Sequence, residues 1–197
     1  MTIPRIGEPA PSFRLPSASG AEVGLDDFKG RHAVVLWFTK GMACPFCRQQ
    51  MSQLARGYAR IKAHGAEVLE VTNTTPARAQ AYARRFPLPF PYLCDPDYRV
   101  RNDWGLAKRP HGLGYYAKTL MQGMKTEPPA NDFGNFKPSL GEFPSVLADD
   151  DMGVFVVDRA GVVRYALAGS YFSKAGPHAM PGVDELAREL ERCTATG

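Results

Sequence analysis

Two cysteines separated by two residues, Cys44 and Cys47, are the side chains of this chain best suited to do chemistry. A thiolate is a strong nucleophile, and two thiols at this spacing are close enough to join in a disulfide. The spacing therefore predicts a redox-active Cys-x-x-Cys site. Its reactivity depends on the elements that hold the two thiols.

The residues around the pair predict a strand followed by a helix. An apolar, β-branched and aromatic run over residues 33–38 is typical of a buried strand. Helical periodicity begins at Pro45, which places Cys44 at the N-cap and Pro45 at the first helical position. Beyond Cys47 the apolar residues recur at helical spacing, at Met51, Leu54, Tyr58 and Ile61. Unpaired N–H groups and the helix dipole favour an anion there, so we expect cysteine pKa values below the free value of about 8.5.

Three other uses of the pair are weaker interpretations. A zinc site needs a second pair of ligands, and neither Cys94, Cys193 nor the histidines, which include His111 and His178, have a matching spacing. A structural disulfide is disfavoured because the N-terminal residues do not resemble a secretory signal. Two inert core cysteines are the third interpretation, because buried cysteine often only packs. We assign His111 and His178 no role.

Composition limits the remaining possibilities. The 197 residues are 44% hydrophobic, which fits one domain with its own core. The net charge of +4 comes from scattered basic residues, so nucleic acid is not an expected partner. No run approaches the roughly 18 apolar residues of a membrane span. We expect a cytoplasmic protein, in which a Cys-x-x-Cys pair is more often catalytic than structural.

The rest of the chain alternates between strands and helices, which predicts a parallel arrangement of neighbouring strands. The expected elements are a strand at 67–72, a helix at 77–86, a short strand at 92–94, a short helix through Trp104, a hairpin of 154–158 with 162–167, and a last helix that carries Val183, Leu186, Ala187 and Leu190.

Three segments of the sequence resemble the peroxiredoxins, and more narrowly the alkyl hydroperoxide reductase and thiol-specific antioxidant family. They are residues 7–13, the strand with its Cys-x-x-Cys, and residues 153–164. The resemblance covers roughly 5–104 and 152–192. It implies a thioredoxin-like α/β fold with a central mixed sheet flanked by helices, in a single domain over 1–197. That domain has an N-terminal extension and an insertion at 105–151 before the final hairpin.

The chain departs from the family pattern at three positions. The family carries Pro-x-x-x-Thr-x-x-Cys around its peroxide-attacking cysteine, and alignment on Cys47 puts Lys40 in place of the Pro and Cys44 in place of the Thr. The family also has an Arg before the Gly of the late strand, where this chain has Met152. The family's Thr and Arg hold the peroxide, whereas a second thiol favours dithiol chemistry. The tetrapeptide Cys-Pro-Phe-Cys by itself is similar to the active-site motif of glutaredoxins.

The resemblance implies a catalytic role for both cysteines. Cys47 attacks a hydroperoxide and becomes a sulfenic acid, Cys44 condenses with it to a disulfide, and an external thiol reduces that disulfide. The reductant is a thioredoxin- or glutaredoxin-type protein or a low-molecular-weight thiol, and a homodimer is compatible with this interpretation. Alternatively, Cys44 is the exposed nucleophile of a thiol–disulfide oxidoreductase and Cys47 resolves. A third interpretation is a redox sensor or binding protein. Neither enzyme mechanism requires a metal or an organic cofactor.

Other chemically active residues have simpler explanations. Cys94 could resolve an oxidised Cys47, but packing is the favoured interpretation, and Cys193 lies near the frayed end of the last helix. The carboxylates of residues 149–151 are expected in a solvated acidic turn, and Arg84 with Arg85 on a solvated helix face.

The insertion at 105–151 contains a stretch without periodicity at 127–145, rich in Pro, Gly and Asn. Such loops are often lids or binding loops, which suggests that the insertion shapes access to the two thiols; a surface excursion or an oligomer contact is an equal alternative.

Overall fold

A computed structural model describes residues 2–41, 44–106, 108–109, 121, 149–170, 172–173, 176–177 and 180–195 of the chain. The expectations for His111, His178 and the stretch at 127–145 lie outside the described residues. The expected central mixed sheet with flanking helices is confirmed.

The elements follow one another as the alternation predicts. In chain order the strands are β1 (Arg14–Pro16), β2 (Glu22–Gly24), β3 (Ala33–Thr39), β4 (Ala66–Thr72), β5 (Tyr92–Cys94), β6 (Lys108–Arg109), β7 (Asp149–Val157), β8 (Val163–Ser170), β9 (Phe172–Ser173) and β10 (Gly176–Pro177). The helices are α1 (Pro45–Ala63), α2 (Pro76–Arg85), α3 (Arg99–Asp103) and α4 (Val183–Ala195), with a 3₁₀ turn at Leu25–Phe28.

Strand β3 lies in the middle of the sheet. It pairs in parallel with β4, which pairs in parallel with β5. On its other side β3 pairs antiparallel with β7, which in turn pairs antiparallel with β8, while β6 pairs with the first residues of β7. All seven residues of β3 are buried. This double-sided burial explains why its sequence is a continuous apolar run rather than an alternating one.

The two faces of β3 contact different halves of the core. Val35 and Trp37 pack in a cluster with the inward faces of α1, α2 and α4. Leu36 and Phe38 pack on the opposite face, where Phe38 and Phe155 meet edge to face at a centroid distance of 6.0 Å. The sheet therefore holds the end of β3, and the loop that follows it, between two packed layers.

Helix α1 begins where the sequence predicts. Cys44 is its N-cap and Pro45 its first residue, and the helix ends at Ala63, just before Gly65 adopts a positive φ of 71°. Three members of the predicted stripe, Met51, Leu54 and Ile61, are buried in the core cluster, and Tyr58 packs against it. The periodicity was informative because this helix buries one face against the sheet.

The acidic turn expected at residues 149–151 is wrong. Asp149 and Asp150 begin β7 and pair with Arg109 and Lys108. The sequence pattern missed this part of the strand because a carboxylate run opposes strand propensity, and the pairing comes from β6, more than 35 residues earlier in the chain.

Helices α1 and α4 approach closely at Gly57. A Cβ at this position would overlap both methyl groups of Val183 on α4. Alanine normally stabilises a helix interior by about 1 kcal/mol relative to glycine. At this crossing the overlap outweighs that gain.

We therefore expect Gly57→Ala to lower the free energy of unfolding by about 1–3 kcal/mol, the usual cost of overpacking. Urea unfolding followed by circular dichroism measures it. Val183→Ala in the same chain makes room for the new methyl group and should recover most of the loss. A stabilised Gly57→Ala protein would contradict the close approach of the two helices.

Candidate active site

The first turn of α1 brings the two predicted cysteines together. Cys44 accepts a hydrogen bond at its sulfur from the Cys47 backbone N–H, at 3.4 Å, and the Cys47 thiol is itself hydrogen-bonded to Cys44. The expectation that Cys47 faces inward is confirmed, since it is 0% exposed. Cys44 is the more exposed of the two, as expected, but only at 6%. Both thiols are therefore buried, although the N-cap position suggested an open site.

The pKa of Cys47 moves in the direction opposite to our expectation. Burial raises it well above the usual cysteine value, and the hydrogen bond to Cys44 raises it further. The position of Cys47 at the helix N-terminus does not predict the direction of its pKa shift, because desolvation of the charged form outweighs the helix dipole when a thiol is fully enclosed. For Cys44 the expected lowering of the pKa stays a prediction.

Lys40 opposes the effect of burial on Cys47. Its backbone N–H donates a hydrogen bond to the Cys47 sulfur, and its positive charge also lowers the pKa of that thiol. Lys40 is itself buried. At this position the related family has a proline, which has no N–H to donate. In the sequence Lys40 stands out only as a departure from the family pattern, although a lysine directly after a buried strand is itself a signal.

The turn that presents Lys40 is fixed by its neighbours. The Thr39 hydroxyl donates to Glu70 Oε1 at 2.8 Å and accepts from the Gly41 backbone N–H at 2.9 Å. Gly41 has a φ of +74°, and a Cβ there would overlap the hydroxyl oxygen of Tyr92. Glycine is required both by the backbone angle and by the contact. Residues 39–41 are thus held in one conformation above the sheet.

Glu70 is a second residue that sequence reasoning missed. Its side chain is 0% exposed, and within the described residues its Oε2 atom has no hydrogen-bond partner. Burial raises the pKa of its carboxyl to about 8, although the bond from Thr39 lowers it. A single glutamate in the apolar run 68–71 was the available signal, because a carboxyl in such a strand must be either buried or at an edge.

The remaining sequence candidates have structural explanations. Cys94 is fully buried at the end of β5, and burial raises the pKa of its thiol to about 11, which supports the packing interpretation. Cys193 is half-buried on α4. Arg84 and Arg85 are exposed, as expected. Met152 is buried in the same core cluster as Cys44 and Cys47.

The described residues also bear on two other classes of site. In that part of the chain no three His, Cys, Asp or Glu side chains are grouped so that they could hold a metal ion. None of the helices described is long and apolar enough to cross a membrane.

The comparison with known protein families decides the relationship. The profile of the AhpC/TSA family matches residues 6–166, which is most of the chain and includes both thiols, the turn at 39–41 and Glu70. The chain belongs to the AhpC/TSA family. The resemblance inferred from its sequence motifs is thereby confirmed.

Individual relatives agree with this assignment. The chain is 35% identical over 100 residues to chloroplastic peroxiredoxin Q of Triticum aestivum, covering 51% of this chain and 46% of that protein. It is 31% identical over 102 residues to peroxiredoxin Bcp of Escherichia coli strain K12, covering 52% of this chain and 65% of that protein. The chain thus spans about half the length of the curated plant relatives that it matches.

Solved structures share the fold. The crystal structure of peroxidoxin BcpB from Mycobacterium tuberculosis superposes with a TM-score of 0.63 at 17% identity, covering 98% of this chain and 99% of that one. The reduced 2-Cys peroxiredoxin of Plasmodium vivax gives a TM-score of 0.64 at 15% identity, with 97% of each chain covered. The thioredoxin-like fold of the peroxiredoxins is therefore the fold of this chain.

The buried carboxyl of Glu70 predicts an unusual dependence of stability on pH. Its pKa is about 8 in the folded chain against 4.5 for an accessible glutamate. The folded state therefore holds a proton that the unfolded chain releases, and stability falls as the pH rises from about 4.5 to about 8. Glu70→Gln removes this titration, so its stability relative to the wild type should grow by roughly 1 kcal/mol per pH unit over that window.

Urea unfolding at pH 5, 6, 7 and 8 measures this difference. Glu67→Gln is the matched control, because Glu67 lies on the same strand and also accepts a hydroxyl hydrogen bond, from Tyr58, but is only partly buried. A constant difference between Glu70→Gln and the wild type across the four pH values would contradict the buried, protonated carboxyl.

Proposed function

We propose that this chain is a thiol-dependent hydroperoxide reductase that works through the dithiol of Cys44 and Cys47. The observation that carries the proposal is the direct hydrogen-bond contact of the two thiols in the first turn of α1. Membership of the AhpC/TSA family supports a peroxide as the oxidant. Lys40 supports a thiolate at Cys47, because its N–H and its charge both favour the ionised sulfur.

The proposed reaction has three steps. The Cys47 thiolate attacks the terminal oxygen of the hydroperoxide, the O–O bond breaks, and the leaving alkoxide takes a proton, which gives an alcohol and a Cys47 sulfenic acid. The Cys44 thiol then attacks the Cys47 sulfur, which forms a disulfide and releases water. Two external thiol groups, oxidised together to a disulfide, return both cysteines to the thiol form.

The burial of the site favours small oxidants. Cys47 is fully enclosed and Cys44 nearly so, and a hydroperoxide is smaller than a protein disulfide.

The reductant that we propose is a thioredoxin- or glutaredoxin-type protein or a low-molecular-weight thiol, acting at Cys44. The cytoplasm is the compartment that we propose, because its thiol pool is reducing. We propose that the chain forms a homodimer, and light scattering in solution measures its mass.

Stopped-flow oxidation of the reduced chain by hydrogen peroxide tests the roles of the two cysteines. We expect Cys47→Ser to abolish rapid oxidation, because it removes the attacking sulfur. We expect Cys44→Ser to keep it and to accumulate a Cys47 sulfenic acid, trapped by dimedone and located by mass spectrometry. Cys94→Ser is the matched control for loss of a buried thiol and should behave as the wild type. Rapid oxidation in Cys47→Ser would contradict the proposal.

A second function is favoured by one specific observation. Burial and the contact with Cys44 raise the pKa of Cys47, which favours Cys44 as the nucleophile of the pair. An ionised Cys44 at the N-cap is the arrangement of a thiol–disulfide oxidoreductase, in which Cys44 attacks a disulfide and Cys47 resolves the mixed disulfide.

Trapping of mixed disulfides separates the two functions. If the chain exchanges disulfides, Cys47→Ser should retain a mixed disulfide between Cys44 and an oxidised thiol substrate, such as a small disulfide reagent, because the resolving thiol is gone. Slow peroxide oxidation of every variant together with this trapped species would establish the exchange reaction. Rapid peroxide oxidation with no trapped species would exclude it.

A further inference from the structure

A buried arginine reaches the turn beside Cys47 from the opposite face of the sheet. Arg101 is 1% exposed, and its Nη2 atom donates a hydrogen bond to the Thr39 carbonyl oxygen at 2.6 Å. Its guanidinium lies 5.8 Å from the Phe38 ring centroid and 5.9 Å from that of Tyr98. Aromatic rings at this distance stabilise a cation that is largely removed from water.

The helix that carries Arg101 is anchored independently of the two cysteines. The Asp95 carboxylate accepts hydrogen bonds from the backbone N–H groups of Val100 and Arg101, at 3.2 and 2.9 Å. Asp95 is itself buried directly after β5, and its N–H donates to the Thr72 carbonyl oxygen at 2.7 Å. Through Asp95, the helix that carries the guanidinium is therefore tied to the end of β4.

The carbonyl that Arg101 binds and the N–H that Cys47 accepts belong to one peptide group. The Thr39 carbonyl and the Lys40 N–H are the two polar ends of the bond between these residues, and in a planar trans peptide they point in opposite directions. The guanidinium lies at the oxygen end, and the Cys47 sulfur lies at the N–H end. A cation at a carbonyl oxygen strengthens the donor at the other end of the same group.

We infer that Arg101 is a positioning residue for Cys47, acting through the Thr39–Lys40 peptide: it fixes the Lys40 N–H in line with the sulfur and strengthens it as a donor to the thiolate. The inference rests on the proposed function only in that Cys47 must react as a thiolate. It assigns a role to a residue that never touches the sulfur or a substrate.

The remaining contacts of Thr39 support this role. Its hydroxyl is bound between Glu70 and the Gly41 N–H, and these two hydrogen bonds restrict rotation of the Thr39–Lys40 peptide. Met152 occupies the position at which the family resemblance places an arginine beside the reactive cysteine, and methionine has no charge. Arg101 supplies a positive charge from the other face, through a peptide, without placing a guanidinium in the enclosed space around the thiols.

Other ionisable groups lie in the elements packed around this turn. Those left unchanged in every variant below are Glu70 on β4, Tyr92 and Cys94 on β5, Asp95 before α3, Arg48 on α1 and Tyr82 on α2, whereas Lys40 after β3 and the N-cap Cys44 are substituted in both backgrounds. Because the groups other than the one substituted are unchanged, differences between variants report the substituted residue.

The test measures the effect of Arg101→Met in two backgrounds. The first keeps the backbone N–H of residue 40, and the second lacks it. Both carry Cys44→Ser; the first also has Lys40→Gln, which removes the lysine charge but keeps the N–H, and the second has Lys40→Pro, which removes both. The measurement is the rate at which iodoacetamide alkylates Cys47, followed by peptide mass spectrometry between pH 6 and 10. This readout needs no peroxide.

In the Lys40→Gln background we expect Arg101→Met to slow alkylation at pH 7.5 about threefold and to move its pH profile about half a unit upward, because the N–H remains but becomes a weaker and less fixed donor to the thiolate. In the Lys40→Pro background the same substitution should change neither, because the N–H through which Arg101 acts is gone. Equal effects in both backgrounds, or none in the first, would overturn the inference.

Two variants guard against a loss of structure. Arg99→Met removes an exposed arginine from the same short helix and should leave the pH profile unchanged. Arg101→Gln keeps a neutral donor on a shorter side chain and replaces Arg101→Met in the test if that variant does not fold. We expect Arg101→Gln, too, to slow alkylation in the Lys40→Gln background and to leave it unchanged in the Lys40→Pro background. Peroxide oxidation is measured separately and reports the proposed function. Slow peroxide oxidation, combined with the expected alkylation rates in the two backgrounds, would therefore refute only the proposed function.

Discussion

The hydrogen bond from the Lys40 backbone N–H to the Cys47 sulfur is the interaction on which the candidate site depends. Cys47 is enclosed by the core, and an enclosed thiol keeps its proton unless something nearby stabilises the anion. The N–H at the end of β3 can do this only if the chain turns there in one fixed way. The apolar strand, the Thr39 hydroxyl and Gly41 together supply that turn.

Burial and charge act in opposite directions around this bond. The same core that positions Cys47 against Cys44 also removes the water that would solvate a thiolate, and this desolvation is the larger effect. Three ionisable residues lie at one short turn: Lys40, Glu70 and Arg101. Each is costly to bury. Glu70 and Arg101 both bind Thr39, and Lys40, the next residue, binds the Cys47 sulfur. Such a concentration of buried polar groups is typical of a functional site rather than of a packing core.

Membership of the AhpC/TSA family and the departures from its pattern fit this arrangement. A lysine where the family pattern has a proline adds an N–H at the Cys47 sulfur, and a cysteine where it has a threonine adds a second thiol in contact with the first. The solved peroxiredoxin structures share the fold that positions these groups. The dithiol is thus set on a scaffold that the solved peroxiredoxin structures also use.

The local features were predictable from the sequence: Cys44 at the N-cap, Pro45 as the first residue of α1, the inward stripe of the helix and the bounds of β4 and β5 to within a residue. These follow from periodicity and capping, which act over a few residues. Only the tertiary structure decided the sign of the Cys47 pKa shift and brought Glu70 and Arg101 to Thr39, 31 and 62 residues away. Desolvation and long-range hydrogen bonds depend on which elements enclose a group, and no local pattern contains that information.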